Sequence, residues 1–263
     1  MIFTVVLLLK SYYYISDMKK ARFYLVRLPI ISITIFLFCC VIAALIYPGS
    51  HKEIIGYQSD YYSFTHNFLS ELGSFKTNTD EINTAIIKED NTPSMLLFNG
   101  SLILIGVTLI LFYLNFKKVF GLIEDSSKSI FYSKITMPVG LLAGFFYAGV
   151  GLVPHDLHFG AHVFFANSAF LTLFFLCILH SITVYHSNLL NNSYVIGYVA
   201  FCIVLFVYLR IIFFGPQIGP GKIYSEADLM LQVIAQKSIV LTFMAAILHQ
   251  VYGFNVLFKK NNN

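Results

Sequence analysis

The stretch ITMPVGLLAGFFYAGVGLVP, residues 135–154, decides the fold of this chain. It runs for twenty residues without a charged side chain, which is about the length that a helix needs to cross the hydrocarbon core of a bilayer. Glycines recur at 140, 144, 149 and 151, and small residues let membrane helices approach one another closely. The stretch therefore predicts a membrane-spanning helix that packs tightly against its neighbours.

The rest of the chain has the same character. Hydrophobic residues make up 57% of it and charged residues only 11%, with a mean hydropathy of +0.75, whereas a soluble domain carries about 25% charged residues. The basic residues lie between apolar runs, so the net charge of +4 does not indicate a nucleic-acid partner. We expect an all-α, polytopic transmembrane bundle with about six spans. The predicted spans are residues 28–47, 95–116, 135–154, 160–185, 194–214 and 236–255.

Basic residues predict the orientation of this bundle. With six spans, ten of them flank the membrane on one side, and short loops rich in Lys and Arg stay in the cytoplasm. Both termini are therefore expected in the cytoplasm and the protein in the cell membrane. The ten are Lys19, Lys20, Arg22, Arg27, Lys117, Lys118, Lys128, Lys134, Lys259 and Lys260.

The same pattern divides the chain into segments. Residues 1–27 form a cytoplasmic N-terminal segment, and Met18 offers an alternative start that would make residues 1–17 an extension. Residues 28–255 form the membrane domain, with a long extracytoplasmic loop at 48–94, and residues 256–263 form a cytoplasmic tail. Ser225 and Asp228 have the spacing of a capping box, which predicts that the last helix starts before the membrane.

One polar cluster lies in the long loop, in YYSFTHNFLSELGSF at residues 61–75. Its apolar residues suit a short helix that lies on the membrane surface or dips back into it and that ends at Gly73. His66 and Asn67 are candidate ligand-binding residues, and Ser70 and Glu71 are candidate catalytic residues. The alternative is that the segment only anchors the loop to the membrane.

A second cluster, VPHDLHFGAH at residues 153–162, lies on the same side of the predicted membrane. His158 and His162 are four residues apart, a spacing that zinc ligands use on a helix, and His155 adds a third nitrogen. Asp156 is a candidate metal ligand, a general base, or a partner that orients a histidine. Alternatively, Pro154 ends one helix and Asp156 caps the next.

Polar residues within the spans extend this pattern. Asn99 lies near the outer end of the second span, Arg210 near the outer end of the fifth, and Lys237 opens the sixth. They could meet Glu71 and Asp156 in an outward-facing polar pocket, with Asn99 and Arg210 as ligand-binding residues. Alternatively, the cations extend to lipid headgroups and the asparagine bonds to a neighbouring helix.

Several of these motifs can be considered together. Asn67, Ser70, Glu71, Leu72 and Gly73 form an N-x-x-S-E-L-G element. Further along the chain come Phe98 and Asn99, Gly151 to Pro154, and His162. This arrangement resembles the bacterial and archaeal membrane family called domain of unknown function 998, and more distantly the eukaryotic DRAM/Sfk-type membrane proteins. The resemblance covers roughly residues 28–255 and implies about six helices with no established activity.

Three functions remain open from the sequence. The first is a non-enzymatic bundle that binds or organises a membrane lipid or small amphiphilic ligand at the outer face. The second is a zinc-dependent hydrolase of a lipid-like substrate, with His155, His158 and His162 as ligands, Glu71 or Asp156 as base and Ser70 as a donor. The third is a transporter. The first is preferred because no strong catalytic motif occurs. No cofactor is established by the sequence, and zinc is the cofactor that His155, His158 and His162 suggest.

Overall fold

The chain folds into a bundle of long helices joined by short connections, except for one long loop. The computed structural model describes the backbone of residues 2–260 and the side chains of residues 12–260. The helices are α1 (Ile2–Arg22), α2 (Leu28–Leu45), α3 (Thr92–Leu122), α4 (Ser127–Leu152), α5 (Phe159–Tyr185), α6 (Val195–Phe214) and α7 (Glu226–Lys260). A π-helical turn, Phe23–Arg27, joins α1 to α2.

The six predicted spans are confirmed as helices long and apolar enough to cross a membrane. Within the described residues they run Tyr12–Leu45, Thr92–Leu122, Ser127–Leu152, Phe159–Tyr185, Asn192–Phe214 and Glu226–Lys260. The first starts well before residue 28, because α1 continues into α2 through the π turn. The capping box is also confirmed: the Asp228 N–H donates to the Ser225 hydroxyl at 3.2 Å, the Ser225 N–H donates to the Asp228 carboxylate at 3.1 Å, and α7 begins at the residue after Ser225.

Close helix packing explains the glycines of the opening stretch. A Cβ atom on Gly144 of α4 would lie 2.6 Å from the carbonyl oxygen of Gly106 of α3, and a Cβ on Gly106 would lie 2.6 Å from the Gly144 carbonyl oxygen. No side chain fits between the two backbones at this crossing. The predicted packing role of Gly144 is therefore confirmed, and α3 and α4 make the most extensive contact in the bundle.

A buried hydrogen-bonded chain ties four elements together deeper in the bundle. Gln250 donates through Nε2 to the Tyr194 carbonyl at 2.6 Å, so its Oε1 accepts from His180 Nε2 at 3.1 Å. His180 Nδ1 then accepts from the Tyr113 hydroxyl at 3.2 Å, which in turn lies 3.3 Å from the Tyr198 hydroxyl. Both ring nitrogens of the neutral His180 side chain therefore have hydrogen-bond partners. This hydrogen-bonded network stabilises the core of the bundle.

The long loop folds over one end of the bundle, which we call the loop face. It contains the antiparallel strands β1 (Ser50–Lys52) and β2 (Tyr57–Ser59) and a 3₁₀ helix, Leu69–Gly73. The predicted short helix ending at Gly73 is confirmed, but it is a 3₁₀ helix and it does not lie on a surface. The helical part is only five residues long, and Glu71, Leu72 and Gly73 are buried against the bundle. We call residues 67–76 the roof and the 3₁₀ helix Leu69–Gly73 within it the roof helix. The opposite end, where α1 and the end of α7 meet, is the terminal face.

Candidate functional site

The carboxylate of Glu71 holds the roof together. Its Oε2 accepts hydrogen bonds from Lys52 Nζ at 2.9 Å and from Asn67 Nδ2 at 2.7 Å, and its Oε1 accepts the backbone N–H of Phe68 at 2.8 Å. Both charged side chains are about nine-tenths buried, with 10% and 9% of their surfaces exposed. Three donors therefore satisfy a buried charge that would be costly if it were unpaired.

These contacts fix the charge states of the pair. Burial alone would raise the pKa of the Glu71 carboxyl, but the charge of Lys52 and the three hydrogen bonds hold the pKa below its ordinary value. Burial alone would lower the pKa of the Lys52 ammonium, but Glu71 holds that pKa above its ordinary value. A general base needs a pKa near the working pH. The geometry thus makes Glu71 a structural anion.

Asn67 connects the roof to the last helix. Its side-chain oxygen accepts from the Ser63 N–H at 2.9 Å and the Ser50 hydroxyl at 3.2 Å, while its backbone carbonyl accepts from Lys237 Nζ at 2.5 Å. Lys237 is only 4% exposed, and its ammonium lies over the ring of Tyr62 at 5.3 Å. Lys237 therefore faces the roof and does not extend to lipid headgroups.

Asn99 fixes the far end of the roof to α3. Its Nδ2 donates to the Gly73 carbonyl at 2.9 Å, and a Cβ on Gly73 would overlap the Asn99 side-chain oxygen. Asn91, at the start of the same helix, donates to the Ser74 carbonyl at 2.8 Å. The two asparagines satisfy backbone carbonyls that would otherwise be buried without donors. The motif residues Asn67, Glu71, Gly73 and Asn99 thus form one connected structure.

The second polar segment meets the roof, but in an unexpected way. Asp156 does not cap α5. Its Oδ2 accepts the backbone N–H groups of Phe75 at 2.9 Å and Lys76 at 3.1 Å, just beyond the roof helix. The cap of α5 is His158, whose Nδ1 accepts the Ala161 N–H at 3.1 Å. Asp156 therefore fixes the loop to the α4–α5 turn.

The three histidines do not assemble the predicted metal site. His158 is exposed and uses its Nδ1 as the helix cap. The rings of His155 and His162 lie 5.8 Å apart, and His155 Nε2 lies 3.9 Å from Asp80. Across the described part of the chain, no three His, Cys, Asp or Glu side chains are grouped so that they could hold a metal. The prediction of a three-histidine zinc site is wrong because His158 is committed to the helix terminus.

A partly open cavity of about 60 Å³ lies beneath the roof. Five helices line it, and the side chains that represent them are Phe36 of α2, Phe98 of α3, Tyr147 of α4, Ala166 of α5 and Val240 of α7. The walls are mostly apolar. A water-sized group needs roughly 10–15 Å³ by this measure, so the cavity has room for about four such groups in a row or a cluster.

Polar groups at the roof side of the cavity come from Ser70, His162 and Gln236. His162 Nδ1 lies 2.7 Å from the Val153 carbonyl; since a carbonyl only accepts, Nδ1 carries the proton and Nε2 of the neutral ring is an acceptor. Gln236 Oε1 accepts the Leu69 N–H at 2.7 Å, which leaves its NH₂ group as a donor. The cavity therefore combines apolar walls with an acceptor, a donor and a hydroxyl.

Two predicted ligand-binding residues lie elsewhere. His66 stacks on Tyr57 with ring centroids 4.0 Å apart, and its Nε2 lies 2.9 Å from the Glu226 carboxylate at the start of α7. Arg210 is exposed, with its guanidinium 5.0 Å from the centre of the Phe214 ring on the same helix. His66 thus braces the loop, and Arg210 faces away from the cavity.

Three residues of this region were not predicted from the sequence. They are Lys52, Gln236 and Tyr147. The sequence around Lys52 does not indicate that this lysine is buried, because its partner Glu71 is 19 residues away. Gln236 could have been noticed as a polar residue beside Lys237 at the start of the predicted sixth span.

The site thus consists of a polar roof, built around Glu71 and Asn67, above an apolar cavity bounded by five helices. Comparison of the chain with protein-family models, with curated proteins and with solved structures finds no match.

Proposed function

We propose that this protein binds the apolar end of a membrane lipid or similar amphiphile in the cavity beneath the roof. The observation that carries the proposal is the cavity itself, which has mostly apolar walls from five helices and the polar side chains of Ser70, His162 and Gln236 in its lining. Ligand sites commonly combine an apolar pocket with a few convergent polar groups. The last few carbons of an acyl chain would fill the apolar part, and the polar side chains of Ser70, His162 and Gln236 would border them at the roof.

We propose binding and not hydrolysis. The Glu71 carboxylate is bound by three donors, and the Asp156 carboxylate accepts two loop N–H groups. Neither is poised as a base, and the described histidines form no group of three that could hold a metal. The roof then acts as a fixed cover that places Ser70 over the cavity.

The orientation and the family belong to the same proposal. The ten basic residues that flank the membrane favour a cytoplasmic terminal face, which would put the roof and the cavity mouth at the outer leaflet of the cell membrane. The connected motif residues Asn67, Glu71, Gly73 and Asn99 are those that resemble the domain of unknown function 998 family. We propose that the roof is the feature that such chains share.

The proposal is tested by photo-crosslinking. A fatty acid with a diazirine at the end of its chain is incubated with the purified protein in detergent, and the labelled peptides are mapped. We expect labels concentrated on the cavity-lining residues, with Ala166 and Val240 as references, and competition by an unlabelled fatty acid. Labels spread evenly over exposed residues such as Phe206 and Leu241, without competition, would contradict the proposal.

A further inference from the structure

A second pocket lies at the terminal face, far along the chain from the roof. It has a volume of about 360 Å³ and lies between the end of α1, the π turn and Phe258 near the end of α7. Three cationic side chains line it: Lys19, Arg22 and Arg27. Nothing in the proposed cavity function uses them.

The π turn places these cations on one side of the helix. Lys19 and Arg22 are three residues apart and share a face of α1. In a regular α-helix, Arg22 and Arg27 would point about 140° apart at roughly 100° per residue. In the π turn the N–H of Leu28 donates to the Phe23 carbonyl five residues back, and this wider turn rotates Arg27 towards the face of Arg22.

Pro29 gives a local reason for this wider turn. Proline has no N–H, and its ring clashes with the carbonyl four residues earlier in a regular helix. Here that carbonyl belongs to Leu25, which lies inside the π turn Phe23–Arg27. The clash is relieved because the hydrogen-bond register of the helix changes directly before Pro29. A π turn within a helix is also frequently found at functional sites.

The charges of the pocket are not neutralised by the protein. Among the side chains of residues 12–260, Lys19 and Arg27 form no ion pair, and Arg22 makes a single hydrogen bond of 3.4 Å to Asn255. The nearby carboxylate of Asp17 is bound to Lys118 at 2.7 Å. Residues 1–11 and 261–263 contain no Asp or Glu in the sequence. The three cations therefore leave an excess of positive charge.

The pocket also has a floor that suits a lipid. Met18 and Phe258 line it and are 9% and 2% exposed, and the Tyr14 side chain adds a hydroxyl-bearing ring. Arginine binds phosphate through paired N–H groups, and lysine adds a point charge. Basic pockets between membrane helices, near the surface, fit anionic headgroups. We propose that this pocket binds the phosphate of an anionic ligand, with a phospholipid headgroup as the ligand that also covers the apolar floor.

The test measures lipids retained by the purified full chain in nonionic detergent, by native mass spectrometry. The probes are short-chain phosphatidylglycerol, phosphatidylcholine of the same chain length, and inorganic phosphate. We expect phosphatidylglycerol to bind well above phosphatidylcholine. Much tighter binding of phosphatidylglycerol than of phosphate identifies a lipid headgroup, whereas equal binding identifies a free phosphate; both outcomes support a phosphate site.

The variant Lys19→Gln/Arg22→Gln/Arg27→Gln should weaken phosphatidylglycerol binding by about 100-fold, at roughly fivefold for each basic side chain. The matched control Lys117→Gln/Lys128→Gln/Lys134→Gln removes the same charge from exposed residues outside the pocket and should change binding by less than about threefold. Lys19→Gln/Arg27→Gln alters only exposed side chains and serves if the triple variant misfolds. Equal losses in the pocket and control variants, or equal binding of the two lipids, would overturn the proposal.

Discussion

Lys52 and Glu71 form a buried ion pair, 2.9 Å from nitrogen to oxygen, that joins strand β1 to the roof helix. Asn67 and the Phe68 N–H complete the coordination of the carboxylate. Because the roof covers the cavity, this pair sets the position of Ser70 and Leu69 above it. The stability of the loop face therefore depends on two charges that local sequence does not connect.

Removing one partner of this pair should be costly. Lys52→Met leaves the Glu71 carboxylate buried without its counter-charge, and such changes cost about 3–5 kcal/mol of unfolding free energy. The double variant Lys52→Met/Glu71→Leu should recover much of that loss. Thermal unfolding in detergent measures both, with the exposed Lys76→Met as the control. A single variant as stable as wild type would show that the pair does not hold the roof.

Acid should weaken the loop face through Glu71. Its folded-state pKa lies below its ordinary value of about 4.3, so its stabilising contribution is complete above about pH 5 and is lost as the pH falls through the folded value. The stability difference between wild type and Glu71→Gln should therefore shrink on acidification. A difference that stays constant between about pH 6 and about pH 3, an interval that includes the ordinary pKa of glutamate, would contradict this prediction.

The role of His158 as a helix cap has a clear signature. His158→Ala removes the acceptor for the Ala161 N–H and should cost about 1 kcal/mol of unfolding free energy. Asparagine is a preferred cap, so His158→Asn should restore the stability of wild type. If the residue acted as a metal ligand instead, asparagine would not rescue it and added chelator would destabilise wild type.

The crossing of α3 and α4 should not accept a methyl group. Gly106→Ala puts a Cβ 2.6 Å from the Gly144 carbonyl, and overpacking of this kind costs about 1–3 kcal/mol. Gly100→Ala on the same helix meets nothing within 4 Å and should be neutral or slightly stabilising. Unfolding of the two variants side by side tests the packing, and equal effects would argue against the close crossing.

The proposed orientation can be checked by labelling single cysteines in intact cells. Ile87→Cys lies in the loop at a site that is 74% exposed, and Lys128→Cys lies exposed at the start of α4. A membrane-impermeant maleimide should label the first without permeabilisation and the second only after it. Wild type gives the background from its native cysteines. The reverse pattern would place the roof in the cytoplasm.

The sequence predicts the helices well because each span is a long apolar run, and the capping box at Ser225 marks where α7 begins. Tertiary contacts decide which partners the polar side chains of the loop face have. Asp is preferred over His as a helix cap. Asp156 nevertheless accepts the N–H groups of Phe75 and Lys76, and His158 caps α5 instead. In the same way, the buried direction of Lys237 follows from the carbonyl of Asn67, which is 170 residues away.

The proposed binding site is tested most directly by filling the cavity. Ala166→Phe places a bulky ring among its apolar walls, while Ala200→Phe adds the same ring to an exposed position on α6. Binding of a fluorescent fatty acid to each purified variant is measured, with thermal unfolding to confirm that both are folded. We expect Ala166→Phe to lose at least about tenfold in affinity, or about 1.4 kcal/mol, and Ala200→Phe to bind as wild type does. Unchanged binding by a folded Ala166→Phe variant would contradict the account.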